Sequence, residues 1–185
     1  MSYGFVIDVE SMGIHGQGFA VGYVVQDENR NEVASALYSA PSDLARGDHY
    51  DREWVKKHVE PHLPKYPTHS SLLAMRTAFW EDWLYWRERG AEGWADCLWP
   101  VEARFLNACV DDYYDLPERG HDSSIKRSRK DKGPYPFHEI ATVMLMAGWN
   151  PTANYPRLPN ELPKHNPLAD ARQSARLLYE ATLQL

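Results

Sequence analysis

The stretch that most constrains this chain lies close to its start: Phe5-Val6-Ile7-Asp8-Val9-Glu10-Ser11-Met12-Gly13. Read as a β-strand, it alternates with period two. Phe5, Ile7 and Val9 point to one face, and Val6, Asp8 and Glu10 to the other. Two carboxylates two residues apart on one face repel each other, and burying either requires a partner. A divalent cation between them resolves the conflict, and all-oxygen ligands favour Mg²⁺ or Mn²⁺. An edge strand with a solvated polar face resolves it too, so the stretch alone leaves both readings open.

A chain of 185 residues, 43% hydrophobic and 25% charged, suits one domain spanning residues 1–185 with a substantial core. No apolar run reaches membrane-span length, and the start lacks a basic segment followed by an apolar one. A cytoplasmic protein without membrane contact is therefore expected. Cys97 and Cys109 make neither a disulfide framework nor a zinc site, and buried reduced thiols are expected. A net charge of −6 argues against nucleic-acid binding through a broad basic face. It leaves room for a nuclease, because two divalent cations would supply positive field at a scissile phosphate.

Beyond the first strand, residues 19–26 alternate as a second strand and residues 32–39 as a third, joined by polar or Gly-rich turns. This order predicts an antiparallel three-stranded meander. Residues 51–62 suit a short amphipathic helix with Trp54, Val55 and Val59 inward. A longer helix follows, capped by Ser70 or Ser71 and ended by Gly90, with Leu72, Met75, Phe79, Trp83 and Trp86 at helical spacing. Residues 92–97 suit a buried strand that leaves Asp96 at its end, where ligand groups collect in open α/β sheets. Pro100 then fits the first turn of another helix. Residues 116–136 are loop-like and carry Lys126, Arg127, Arg129, Lys130 and Lys132, a solvated loop or a contact for phosphates. Residues 137–147 read as a helix stopped by Gly148, and the five-proline loop 150–167 leads to a last helix from Pro167 to Leu183. A meander followed by helices and further strands defines an α/β or α+β sheet flanked by helices.

The last helix opens with His165-Asn166-Pro167-Leu168-Ala169-Asp170-Ala171. Asn166 suits the N-cap and Pro167 the first helical position, which leaves His165 in the loop and Asp170 in the first turn. Taken alone, Asp170 does no more than favour the positive end of the helix dipole, and His165 is a surface residue.

Taken together, Asp8 and Glu10 on a first strand, Asp96 at the end of a later one, and His165 separated from Asp170 by four residues at a terminal helix resemble the DEDDh family of 3′–5′ exonucleases. That group includes RNase T, oligoribonuclease and proofreading subunits, on an RNase H-like fold. Unlike the family's usual pattern, Ala95 rather than an aromatic residue precedes Asp96, no Asn lies nearby, and Asp111, Asp112 and Asp115 are rival acids.

The resemblance implies an α/β, RNase H-like mixed sheet and hydrolysis of 3′-terminal phosphodiester bonds of single-stranded RNA or DNA, releasing nucleoside 5′-monophosphates. It implies two Mg²⁺ or Mn²⁺ held by Asp8, Glu10, Asp96 and Asp170, with His165 as general base. Ser11, Met12 and Gly13 would meet the terminal nucleotide, Met12 or Ile14 would wedge against its base, and Phe19 would stack on it unless it is a core residue. Homodimers, common in the family, are implied here too. A catalytically weak or inactive nucleic-acid-binding protein and a metal-dependent nucleotide phosphohydrolase are the competing classes.

Overall fold

A computed structural model describes residues 3–114 and 136–185. Five strands, β1 (Tyr3–Ser11), β2 (Gly18–Gln26), β3 (Glu32–Ser39), β4 (Ala91–Ala95) and β5 (Phe137–Glu139), form one sheet in the order β3-β2-β1-β4-β5. The first three make the expected antiparallel meander, and β4 and β5 add in parallel beside β1. The described residues also form α1 (His49–His58), α2 (Leu72–Arg87), α3 (Ala103–Tyr114), α4 (Ile140–Met146) and α5 (Pro167–Thr182). The α/β class is as the element order predicts. The basic loop expected over residues 116–136 lies, apart from Pro136, outside the described residues.

The alternation of β1 separates two cores. Phe5, Ile7 and Val9 join Val21, Tyr23 and Val25 of β2 beneath Met75, Phe79, Trp80 and Trp83 of α2 and Phe105, Leu106 and Cys109 of α3. Val6 faces the other way, packed with Ile140 and Met144 of α4 and Ala175, Leu177, Leu178 and Ala181 of α5. Asp8 and Glu10 follow Val6 onto that second face by the period-two rule. A third cluster of Met12, Phe19, Ala20, Ala45, Val55 and Val59 seats α1 against the end of β1.

Three helix starts are capped by a side chain of the preceding residue. Asp48 caps α1 by accepting the Asp51 N–H at 2.8 Å, and Ser71 caps α2 by accepting from Ala74 at 3.1 Å. Asn166 caps α5, its side chain accepting from Leu168 at 3.1 Å and Ala169 at 3.2 Å. Its amide also donates to the His62 carbonyl at 2.8 Å, tying α5 to the turn after α1. Gly90 and Gly148 end α2 and α4 with positive φ of 84° and 78°.

One contact decides where α5 lands. Gly22 stands opposite Asp8 in the β1–β2 register. A Cβ there would lie 2.2 Å from the Leu168 nitrogen and 2.3 Å from the Pro167 carbonyl carbon. The first turn of α5 therefore rests on bare strand backbone beside Asp8. Small buried residues Ala169, Ala171 and Ala175 continue the close approach.

Four sequence expectations need correction. Trp54 is 47% exposed, because Val55 and Val59 alone fill the inward face of α1 and Trp54 stands one helical step aside. Residues 137–139 are not the start of a helix but the strand β5, too short for its period to show in sequence. Pro100 sits in a kinked turn, Leu98–Glu102, with Trp99 extended (φ −99°, ψ 136°), so α3 begins only at Ala103. Cys97 is exposed and donates its thiol to the Trp99 carbonyl at 3.3 Å, while Cys109 is buried as expected.

Replacing Gly22 with Ala is expected to lower unfolding stability in urea by about 1–3 kcal/mol, the range for overpacking a closed contact. Gly4→Ala is the matched control. Gly4 has open space around it, and its effect should stay within about 0.5 kcal/mol. Equal losses at both positions would refute the keyed contact.

Candidate metal centre

The end of β1 and the start of α5 bring Glu10 together with His165 and Asp170 from the opposite end of the sequence. Ligand atoms of Glu10, His165 and Asp170 all lie within 4.8 Å of one another. The His165 Nδ1 is 3.8 Å from Glu10 Oε1. His165 holds a left-handed backbone (φ 64°), and its N–H donates to Asp170 Oδ2 at 3.0 Å. That bond anchors the backbone while the ring turns toward Glu10. The same ring meets Trp54 edge-on at 5.2 Å between centroids.

A second layer of charge surrounds these groups. Arg157, from the Pro-rich loop, ion-pairs with Asp170 Oδ1 and donates to the Glu161 carbonyl at 2.8 Å. Glu161 is buried and is held by Arg176 of α5 at 2.6 Å. Loop 150–165 is thus fastened to α5 by two arginines.

Asp96 stands where the sequence predicts, one residue past β4. Its backbone carbonyl accepts the Ala141 N–H at 3.0 Å, which joins it to α4. Of its rivals, Asp112 is paired with Arg76 at 2.5 Å, and Asp111 is exposed beside it on α3; Asp115 lies outside the described residues.

The structure adds two acids that sequence reasoning missed. Glu102, at the end of the kinked turn before α3, is buried and accepts backbone N–H bonds from Val9 and from its own residue. Glu139, at the end of β5, accepts the Leu98 N–H at 2.9 Å and lies beside Asp96. A signal for Glu102 exists. It stands at positions i, i+3, i+4 and i+7 with Phe105, Leu106 and Cys109, so a carboxylate occupies the apolar stripe of a helix.

Burial first, and neighbouring charge second, raises Asp8, Glu10, Asp96 and Glu102, and burial raises Asp170. Asp8 is pushed well above the ordinary range, first by burial and then by Asp170, Glu10, Glu102 and Asp96. Glu10 rises to about 8, by burial and then by Asp170 and Glu102. Glu102 rises to about 7 by burial, against its two backbone hydrogen bonds. Asp96 is exposed, yet desolvation of its carboxyl and then Glu139 and Asp170 raise it. Burial raises Asp170 despite the Arg157 pair, and burial lowers His165 below the usual imidazole value against the pull of Asp170. Carboxylates from three elements that raise one another suit a hard divalent cation, which would relieve the repulsion.

The residues expected to meet a nucleotide divide. Ser11 and Gly13 are half-buried, Ser11 Oγ donating to the Gly13 carbonyl at 2.8 Å. Gly13 has φ 75°, and the Asp51 carboxyl fills the space a Cβ would take. Met12 (2% exposed) and Phe19 (0%) lie inside the third core cluster, so in this conformation neither offers a face to a base. Trp54, whose ring meets that of His165, is an exposed apolar group beside the centre.

No protein-family model matches the chain, and no curated protein is similar to it in sequence. Fold and geometry carry what can be said. The mixed five-stranded sheet, with its 3-2-1-4-5 order and antiparallel meander, is consistent with an RNase H-like fold. It carries an acidic and histidine cluster able to hold a metal ion.

Carboxyls raised in the folded state hold extra protons above their unfolded values, so stability falls as pH rises through the shifted range. For Glu10 and Glu102 that range runs from 4.5 to about 8 and about 7. His165, lowered from 6.5, works in the opposite direction, its contribution being lost only as pH falls below that value. Without divalent metal, the melting temperature is expected to fall between pH 6.5 and 8. Mg²⁺ or Mn²⁺ should flatten that slope and raise the midpoint at pH 8. A midpoint indifferent to both pH and metal would count against the centre.

Proposed function

We propose that this chain is a divalent-metal-dependent 3′–5′ exonuclease of DEDDh type. It shortens single-stranded RNA or DNA from the 3′ end and releases nucleoside 5′-monophosphates. The observation that carries the reading is the meeting of Glu10, His165 and Asp170, whose ligand atoms lie within 4.8 Å of one another, beside the buried Asp8. In this reading Asp8, Glu10 and Asp170, with Glu102 or Asp96 as the middle acid, hold two Mg²⁺ or Mn²⁺. When bound, those ions supply Lewis acidity and neutralise charge building on the phosphate.

The chain's own residues do the rest. His165, neutral near physiological pH because its proton affinity is lowered, accepts a proton from the attacking water. The new P–O bond forms as the P–O3′ bond breaks, and the freed 3′ oxygen of the penultimate nucleotide takes up a proton. Asp170 fixes the His165 backbone, and Trp54 limits its ring on one side. The exposed surface of Trp54 suits stacking against the terminal base, at about 1–3 kcal/mol and with little base preference.

The test is a gel time course on matched 5′-labelled single-stranded RNA and DNA with Mg²⁺, Mn²⁺ or EDTA. A metal-dependent ladder shrinking from the 3′ end is expected, lost in Asp8→Asn and reduced about 10²–10⁴-fold in His165→Ala. Glu102→Gln should lose more activity than Asp96→Asn, because Glu102 is the more buried and stands closer in charge to Asp8. No cleavage under any metal would favour the binding-protein reading.

A further inference from the structure

A second feature lies across the end of β1 from the acids. A pocket of about 240 Å³ is walled by loop 15–18, by Arg76 of α2, and by Arg104, Phe105 and Ala108 of α3. Its character is the reverse of the metal centre, with two guanidinium groups and the His15 ring over an apolar floor. Arg76 commits its Nε to Asp112, and Arg104 commits Nη1 to the His15 carbonyl at 2.6 Å, with Nη2 3.5 Å from His15 Nδ1. Each guanidinium carries five N–H donors, so most remain available. Among the described residues Arg104 has no carboxylate partner.

The placement of Arg104 is costly by local rules. It stands in the first turn of α3, where the helix dipole disfavours a cation. Its guanidinium is held over the loop by a carbonyl while the residue as a whole stays exposed. Arg76 is only 11% exposed at its side chain, so the wall is fixed. An exposed guanidinium without a carboxylate partner, lining a cleft beside the fixed Arg76, is suited to an anion even in a chain of net charge −6.

The pocket is also close to the acids along the chain. Arg104 follows Glu102 by two residues, a Cα separation of at most about 7.6 Å across two trans peptides. Side chains two apart on a helix point opposite ways, so at about 3.4 Å per nucleotide a few nucleotides bridge the acidic centre and the pocket.

We propose that this pocket takes a backbone phosphate of the nucleic-acid strand, a few nucleotides inside the 3′ end held at the acidic centre. The proposal rests on the nuclease reading. Arg104 and Arg76 then supply a local grip on a polyanion in a protein of net charge −6.

The experiment has two readouts. In the first, inorganic phosphate is added to the metal-free protein at ionic strength matched with chloride. It should raise the melting temperature of the wild type and not that of Arg104→Gln. In the second, 5′-fluorescein strands of two and eight nucleotides are titrated by anisotropy into Asp8→Asn with Mg²⁺. Adding Arg104→Gln or Arg76→Gln should weaken the eightmer about tenfold and reduce the slope of log affinity against log salt by about 0.7, one lost phosphate contact. Arg104→Lys, which keeps charge but loses the planar fork, should keep the slope and only part of the affinity. Melting temperatures without phosphate confirm that each variant folds.

Unchanged eightmer affinity overturns the proposal. So does loss of phosphate stabilisation with eightmer binding intact, which would make the pocket a site for a free anion. A wild type that leaves every strand uncut sinks the nuclease reading by itself. A wild type that cuts, with Arg104→Gln indistinguishable from it, sinks the pocket by itself.

Discussion

Everything in this structure that concerns the acidic centre depends on the seating of α5 against the sheet. The helix lands where β2 offers no side chain, at Gly22, and its cap Asn166 is tied to the His62 carbonyl. That landing sets Asp170 over the strand face carrying Asp8 and Glu10. The same helix buries Ala175, Leu177 and Leu178 against Val6. Core and centre are therefore built from alternate residues of one strand and from two ends of one helix.

The second governing constraint is electrostatic. Carboxyls that raise one another's proton affinity make the folded state costlier as they ionise, and the chain meets this partly with its own cation. Arg157 occupies one oxygen of Asp170, and the His165 N–H occupies the other. Loop 150–165 is thereby part of the centre rather than a connector. On the opposite side of β1 a different polar device has a purely structural role: the Asp82 carboxylate accepts from Tyr23 at 2.7 Å and Tyr38 at 2.6 Å, locking α2 to β2 and β3.

The parts of the fold legible in sequence were those with a strong local cause. Period-two alternation placed Phe5, Ile7 and Val9 opposite Val6, Asp8 and Glu10, and the Asn166-Pro167 pair marked the start of α5. What was not legible depended on contacts made elsewhere. Three-residue β5 is a strand only because β4 lies beside it. Trp54 turns outward because neighbouring Val55 and Val59 saturate the inward face. Phe19 disappears into a cluster that α1 completes. Glu102 was visible as a carboxylate on an apolar stripe, yet its proximity to Asp8 comes from the kinked turn Leu98–Glu102, which no periodicity encodes.

Gly22 has a consequence of another kind. Glycine is the smallest residue, so every coding change at this position adds atoms, and none of the nineteen alternatives is conservative in space. The position is frozen by geometry and not by chemistry, although its own atoms take no part in any reaction. A polypeptide drifting under mutation can exchange most of its tryptophans for other bulky residues, and their surroundings can adjust. It has no comparable latitude where one helix leans on naked strand, because the partner there is itself main chain and cannot be trimmed.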